Sequence, residues 1–144
     1  MCDIFIKDAK CITILSGQGG KNDYGQLGLG DTTNRTTFTQ VTTNTDNIKS
    51  VYCGNDHTFI LKNDGTLWGC GYNAHGQLGL GGTNDRNAFT QITTDANNIK
   101  SVYCGYYYTL ILKNDGVYMG RSRQGRTAQQ GRCSEVRDIP CQPL

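Results

Sequence analysis

Helical periodicity is what this chain most lacks. No stretch of its 144 residues sets Ala, Leu, Glu and Lys at 3.6-residue spacing, which excludes a helical bundle and leaves strands and turns. No apolar run approaches the roughly 20 residues that span a bilayer, so no transmembrane helix is expected. Asp3 and Asp8 interrupt the N-terminus, and no basic stretch precedes an unbroken apolar one, so Met1 to Ser16 does not read as a secretory signal. Histidine occurs only as His57 and His75, and the 7 cysteines form no Cys-x-x-Cys pair, too few ligands for a zinc site. Glutamate occurs only as Glu135. The aspartates recur in turns, and no Ser/His/Asp or Cys/His group stands alone as catalysis would require. No enzyme activity, metal or cofactor is expected.

What the chain does have is itself, twice. Gly25-Gln26-Leu27-Gly28-Leu29-Gly30 returns as Gly76-Gln77-Leu78-Gly79-Leu80-Gly81. Asn47-Ile48-Lys49-Ser50-Val51-Tyr52-Cys53-Gly54 returns as Asn98-Ile99-Lys100-Ser101-Val102-Tyr103-Cys104-Gly105, and Lys62-Asn63-Asp64-Gly65 returns as Lys113-Asn114-Asp115-Gly116. The offset is 51 residues each time. A period of about 50 residues belongs to solenoids and propellers, whose units need neighbours because one alone cannot bury its apolar face. Two units are read, about 25–75 and 76–120, with a divergent partial unit over 1–24. The chain is therefore expected to be incomplete, to self-associate and so complete the ring, or to expose a sheet face.

Within a unit, β-prone runs alternate with turn chemistry. Strands are expected at Phe38–Thr42, Ile48–Cys53, Thr58–Leu61 and Thr66–Trp68, and again at Phe89–Thr93, Ile99–Cys104, Thr109–Leu112 and Val117–Met119. The Asn-Asp-Gly run before Thr66 is a strong hairpin signal. Four short strands per unit describe a propeller blade. The fold class is thus all-β: an incomplete β-propeller with two to three antiparallel blades of up to four short strands.

The string from Leu67-Trp68-Gly69-Cys70-Gly71 through Gly76-Gln77-Leu78-Gly79 resembles the regulator of chromosome condensation repeats. So does Val51-Tyr52-Cys53-Gly54-Asn55-Asp56-His57-Thr58, with the hairpin turn ending at Gly65 behind it. The resemblance covers about Ile14 to Gly120. Leu15 to Gly19 resembles the Trp-Gly-x-Gly block, with Ser16 where Trp is expected. The resemblance implies seven blades when complete, about 350 residues. It implies structural roles for Gly25, Gln26, Leu27, Gly28, Gly54, Gly65, Trp68, Gly69, Gly105 and Gly116, and for Gly76, Gln77, Leu78 and Gly79. It also implies that the slot of His57 lies near a face where partners dock.

Two turns are candidate partner-binding sites: Asn55, Asp56 and His57, and their counterparts Tyr106, Tyr107 and Tyr108. The second unit puts tyrosine where the first has histidine, a poor sign for a general base, and a hydrogen-bonded structural histidine is the favoured reading. Three consecutive tyrosines read either as a binding surface or as a turn packed on the next blade. Gly17 to Asn22 superficially resembles a phosphate loop, but Asn22 stands where Ser or Thr is needed and no helix follows. Net charge is −1 through Gly120 and +3 beyond it. Residues 121–144 are expected to be a basic, disordered tail, and nucleic acid is not the expected partner.

Composition and resemblance together point to a non-catalytic scaffold that binds a protein partner in the cytoplasm, or in the nucleus of a eukaryote, away from membranes. The alternatives are a guanine-nucleotide exchange factor-like regulator of a small GTPase, and a gene fragment without stable function.

Overall fold

A computed structural model of the chain describes residues 2–7, 11–16, 20–42, 46–93, 98–116 and 118–121; over 2–7, 11–16 and 118–121 it describes backbone alone. The expected tail, from residue 122 on, lies outside the described residues. The first three strands, β1 (Cys2–Lys7), β2 (Cys11–Ser16) and β3 (Gln40–Val41), form one sheet in that order. The second sheet runs β4 (Ile48–Cys53), β5 (His57–Lys62), β6 (Leu67–Gly71) and β7 (Arg86–Ile92). The third orders β10 (Tyr118–Arg121), β9 (Thr109–Lys113) and β8 (Ile99–Cys104). Every pairing is antiparallel.

The four strands that read as one unit do not form one sheet. The strand expected at Phe38–Thr42 narrows to β3 and pairs with β2, not with β4. Its counterpart β7 closes the sheet that β4 begins. The cause is connectivity. After β6 the chain makes a loop and returns antiparallel along the edge it has just left, so Trp68 faces Gln91. The N-terminal register differs too. Thr13, not Ser16, faces Gln40 as Trp68 faces Gln91, because the connecting segment there is 4 residues longer. Thr13 therefore holds the slot expected for Ser16.

The middle sheet is apolar on both faces, as period-two alternation requires of a strand covered on both sides. Ile60, Cys70 and Phe89 pack with Leu27 and Val41 toward the first sheet, and Trp68 leans on them. Phe59, Leu61, Leu67 and Ile92 pack with Leu78, Ile99 and Val102 toward the third. Each fully buried large side chain contributes about 1.5–3 kcal/mol. Among the described residues only one face of the third sheet is covered: Tyr103 is 45% and Leu110 37% exposed, whereas Phe59, the counterpart of Leu110, is 1% exposed.

Asparagine marks the entry to β4 and to β8. Asn47 and Asn98 both have φ 56, a left-handed geometry that asparagine tolerates better than most residues. Their carbonyls accept from the amides of Asn63 and Asn114 at 2.8 Å, tying each strand start to its hairpin turn.

The loop Gly25–Gly30 crosses to the edge of the middle sheet. Gly30 N donates to Asn87 O at 2.8 Å and Asn87 Nδ2 returns a bond to Gly30 O at 2.9 Å. Gly25 has φ 77 and lies where a Cβ would collide with the Asn87 backbone. Gly30 has φ 87 with open space around it. Gly30→Ala is therefore expected to cost about 1–2 kcal/mol of backbone strain, and Gly25→Ala about 3 kcal/mol or more because the sheets must also separate. Urea unfolding of the two variants checks this; equal losses would refute the close approach.

Candidate functional site

The turns that join β4 to β5 and β8 to β9 lie beside the loops that follow β2 and β6. In the turn Gly54–His57, Gly54 N donates to His57 O at 2.8 Å, and the imidazole lies where a Cβ on Gly54 would be. Gly105 and Tyr108 repeat this arrangement, with the amide bond again 2.8 Å. The glycine is required because the ring folds back over it. His57 is 1% exposed, meets Phe59 edge-on at 5.7 Å, and its Nε2 pairs with Thr109 Oγ1 of the third sheet at 3.1 Å. Burial pushes its pKa down to about 4, so it is neutral at physiological pH. Tyr108 is 46% exposed, since no described sheet covers it as the third sheet covers His57.

At the junction of the first and second sheets, Asp56 gathers its neighbours. Oδ1 accepts from Lys21 Nζ at 3.2 Å and from Gln26 Nε2 at 3.5 Å, and Oδ2 accepts from Asn55 Nδ2 at 2.6 Å. The bond to Asp56 raises the Lys21 pKa. The ammonium also lies 5.2 Å from the Tyr24 ring centroid and 3.9 Å from Asp23 Oδ2.

The next junction carries the same positions with different chemistry. Tyr72 stands for Lys21, His75 for Tyr24, Gln77 for Gln26, and Tyr106 and Tyr107 for Asn55 and Asp56. The ion pair has become an aromatic cluster. Tyr107 lies 6.4 Å from Tyr72, 4.9 Å from His75 and 4.3 Å from Tyr106, and Tyr72 lies 4.7 Å from Tyr24. The hydrogen bond with Tyr107 raises the Tyr106 pKa.

Of the six candidate partner-binding residues, Asn55, Tyr106, Tyr107 and Tyr108 reach the surface, and Asp56 and His57 do not. Asp56 is turned inward by three donors, and His57 by its glycine and the neighbouring sheet. Both side chains bond across a junction between sheets, Asp56 to Lys21 and Gln26 and His57 to Thr109, the hydrogen-bonded role favoured above for His57. Trp68 is half-buried and packs against the core that faces the first sheet, its Nε1 donating to Thr66 Oγ1 at 3.0 Å and Lys62 Nζ 4.7 Å from its ring.

Two residues with no expected role organise the Gly-Gln-Leu-Gly loops. Asn22 and Asn73 are 0% exposed. Asn73 Nδ2 donates to Gly82 O and Asn84 O, both at 3.0 Å, and its Oδ1 accepts from Leu78 N at 2.9 Å. Asn22 does the same for Asp31 O, Thr33 O and Leu27 N. The 51-residue offset between them was the available signal. Gln26 and Gln77 accept from the amides of Tyr24 and His75 at 3.0 Å, which closes the loop start.

Among the described residues no three His, Cys, Asp or Glu side chains gather as a metal site needs, and no helix is long and apolar enough to cross a membrane. Burial pushes the Cys104 thiol up to about 12, which makes it a poor nucleophile. The site offers hydrogen bonds and aromatic surface.

The depressed pKa of His57 has a testable sign. Its neutral form is favoured in the fold, so the unfolded state binds more protons between pH 6.5 and 4. Its stabilisation is complete above pH 6.5 and lost as pH falls to 4, a change of roughly 3 kcal/mol. His57→Tyr, borrowing its own counterpart, is expected to flatten that fall in urea melts at stepped pH. An unchanged slope would contradict burial of the imidazole.

Residues 19–61 and 64–112 match the family described as Regulator of chromosome condensation (RCC1) repeat, and residues 48–77 match a second description of the same repeat. The X-linked retinitis pigmentosa GTPase regulator of Mus musculus is 37% identical over 100 residues, which cover 67% of this chain and 10% of that protein. The secretion-regulating guanine nucleotide exchange factor of Bos taurus is 36% identical over 100 residues, covering 67% of this chain and 22% of that protein. The chain thus spans only a small part of the length of the curated relatives it matches. The crystal structure of human WBSCR16 shares the fold with a TM-score of 0.66 and 24% identity, over 83% of this chain and 31% of that one. With 51-residue units, antiparallel sheets packed face to face and these matches together, the chain belongs to the regulator of chromosome condensation (RCC1) repeat family, and its sheets are blades of a partial β-propeller.

Proposed function

We propose that this stretch is a non-catalytic protein-interaction module acting in the cytoplasm or nucleus, whose partner surface is the aromatic cluster at the second junction with the exposed turn residues Asn55, Tyr106, Tyr107 and Tyr108. One observation carries the reading. Asn22 and Asn73, which recur between units, are spent inside the fold, whereas Tyr106, Tyr107 and Tyr108, which break the repeat, stand at the surface. Rigid sheets hold the turns, and the turns supply specificity. Tyrosine suits this, combining large apolar area with one polar handle.

The uncovered face of the third sheet supports a second contact. Tyr103 and Leu110 stand where Tyr52 and Phe59 are covered by the next sheet. In this reading they take a further blade, from a longer chain or from another copy. Leu110→Lys would then abolish any species larger than one chain in light scattering.

The names of the relatives favour one alternative, guanine-nucleotide exchange on a small GTPase. Accelerated release of labelled GDP from a small GTPase by catalytic amounts of the chain would establish it over the scaffold reading. The scaffold reading is tested by affinity capture with Tyr106→Ser/Tyr107→Ser against Asn63→Ser, which lies at the other end of β5. The tyrosine variant is expected to lose at least about tenfold in partner binding, some 1.4 kcal/mol, and the asparagine variant none. Equal binding by both would refute the assignment.

A further inference from the structure

The two junctions differ in one respect that stacking does not repair. Gln26 and Gln77 hold the same place, and in each the side-chain oxygen accepts a backbone amide at 3.0 Å, from Tyr24 and His75 respectively. That bond fixes which way the amide group faces, so each Nε2 is aimed toward the neighbouring turn. Gln26 Nε2 finds Asp56 Oδ1 at 3.5 Å. Gln77 Nε2 finds nothing: the residue is 3% exposed and the nitrogen has no hydrogen-bond partner. The counterpart of Asp56 is Tyr107, so the repeat kept the donor and lost the carboxylate it served. A buried donor without an acceptor is costly and seldom retained in a fold for no use.

We propose that the second junction binds a carboxylate on a protein partner, an Asp or Glu side chain that takes the place Asp56 fills at the first junction. The inference deepens the interaction-module reading and rests on it. Gln77 Nε2 is the inner donor. The aromatic cluster of the same junction, Tyr72, His75, Tyr106 and Tyr107, is linked by ring contacts of 4.3–6.4 Å. Of the charges nearby, Lys21 and Asp56, which act on Tyr106, are already paired with each other at 3.2 Å, and Asp85 accepts from the Asn73 amide at 2.7 Å. Tyr107, the counterpart of Asp56, is 37% exposed and sits on a turn; in this proposal its ring swings aside to admit the ligand. A cationic side chain would suit the ring faces but would leave Gln77 unsatisfied, so the orphaned donor selects the acid.

The side-chain amide signals of Gln77, assigned by their loss in Gln77→Met, report directly. The probes are a capped aspartyl tripeptide amide, its asparaginyl isostere, its arginyl analogue, and the asparaginyl peptide with a free C-terminal carboxylate. The aspartyl peptide is expected to shift the Gln77 signals saturably and at least tenfold more tightly than the asparaginyl or arginyl one. The free C-terminus is expected to bind less tightly than the side chain. Tyr107→Asp, which returns the carboxylate to the chain, is expected to raise the melting temperature and to abolish the response, whereas Tyr107→Phe keeps it. Unmoved Gln77 signals, tightest binding by the arginyl peptide or by the free C-terminus, or an undiminished response in Tyr107→Asp would each overturn the proposal. The capture experiment above is independent: if the tyrosine turn is needed for capture while Gln77 stays silent, the carboxylate site falls and the interaction module stands.

Discussion

The loop that carries the chain from one sheet to the next has two short backbone turns, Gly76 N to Asn73 O at 2.7 Å and Gly79 N to Gly76 O at 3.0 Å, and the side-chain amide of one buried asparagine ties the rest together. Asn73 holds Gly82, Asn84 and Leu78 through its side chain, while its own amide donates to Asp85 Oδ1 at 2.7 Å. An amide side chain suits this task because it offers two donors and an acceptor at once. The result is a rigid loop whose leucine, Leu78, is delivered into the core between the second and third sheets. Asn22 delivers Leu27 to the preceding core in the same way. Both cores depend on this delivery, because each sheet alone leaves apolar side chains open to water.

Much of this was legible in the sequence. The offset of the glycine, tyrosine-cysteine and lysine-asparagine blocks gave the repeat, and β-branched runs gave Ile48–Cys53 and Ile99–Cys104 as they stand. Strand pairing was not legible. Local propensity says that Gln40–Val41 is extended, but only the path of the loop before it decides which sheet it joins. The N-terminal strands were hidden because a longer connecting segment broke the 51-residue register. The burial of His57 was hidden for a different reason: its cover is Thr109 and the third sheet, which no local pattern reveals. Asn22 and Asn73 sat inside a composition that reads as loop, where an asparagine attracts no notice.

The two junctions show how a repeat protein separates construction from recognition. Glycine, glutamine, leucine and buried asparagine recur because sheet stacking needs them at every step. Lys21 and Asp56 become Tyr72 and Tyr107 without disturbing that scaffold, since neither belongs to the apolar clusters between the sheets. One turn thus changes from a self-satisfied ion pair to an aromatic surface over an orphaned amide, and the sheets beneath keep the same register.

The account stands on the asparagine loop locking two sheets together. Amide hydrogen exchange of Asn73→Ala tests it most directly. The predicted result is lost protection at Leu78 and along both β5 and β9, since the core on each side of the loop loses Leu78. Lost protection confined to residues 74–85, with β5 and β9 exchanging as before, would contradict it.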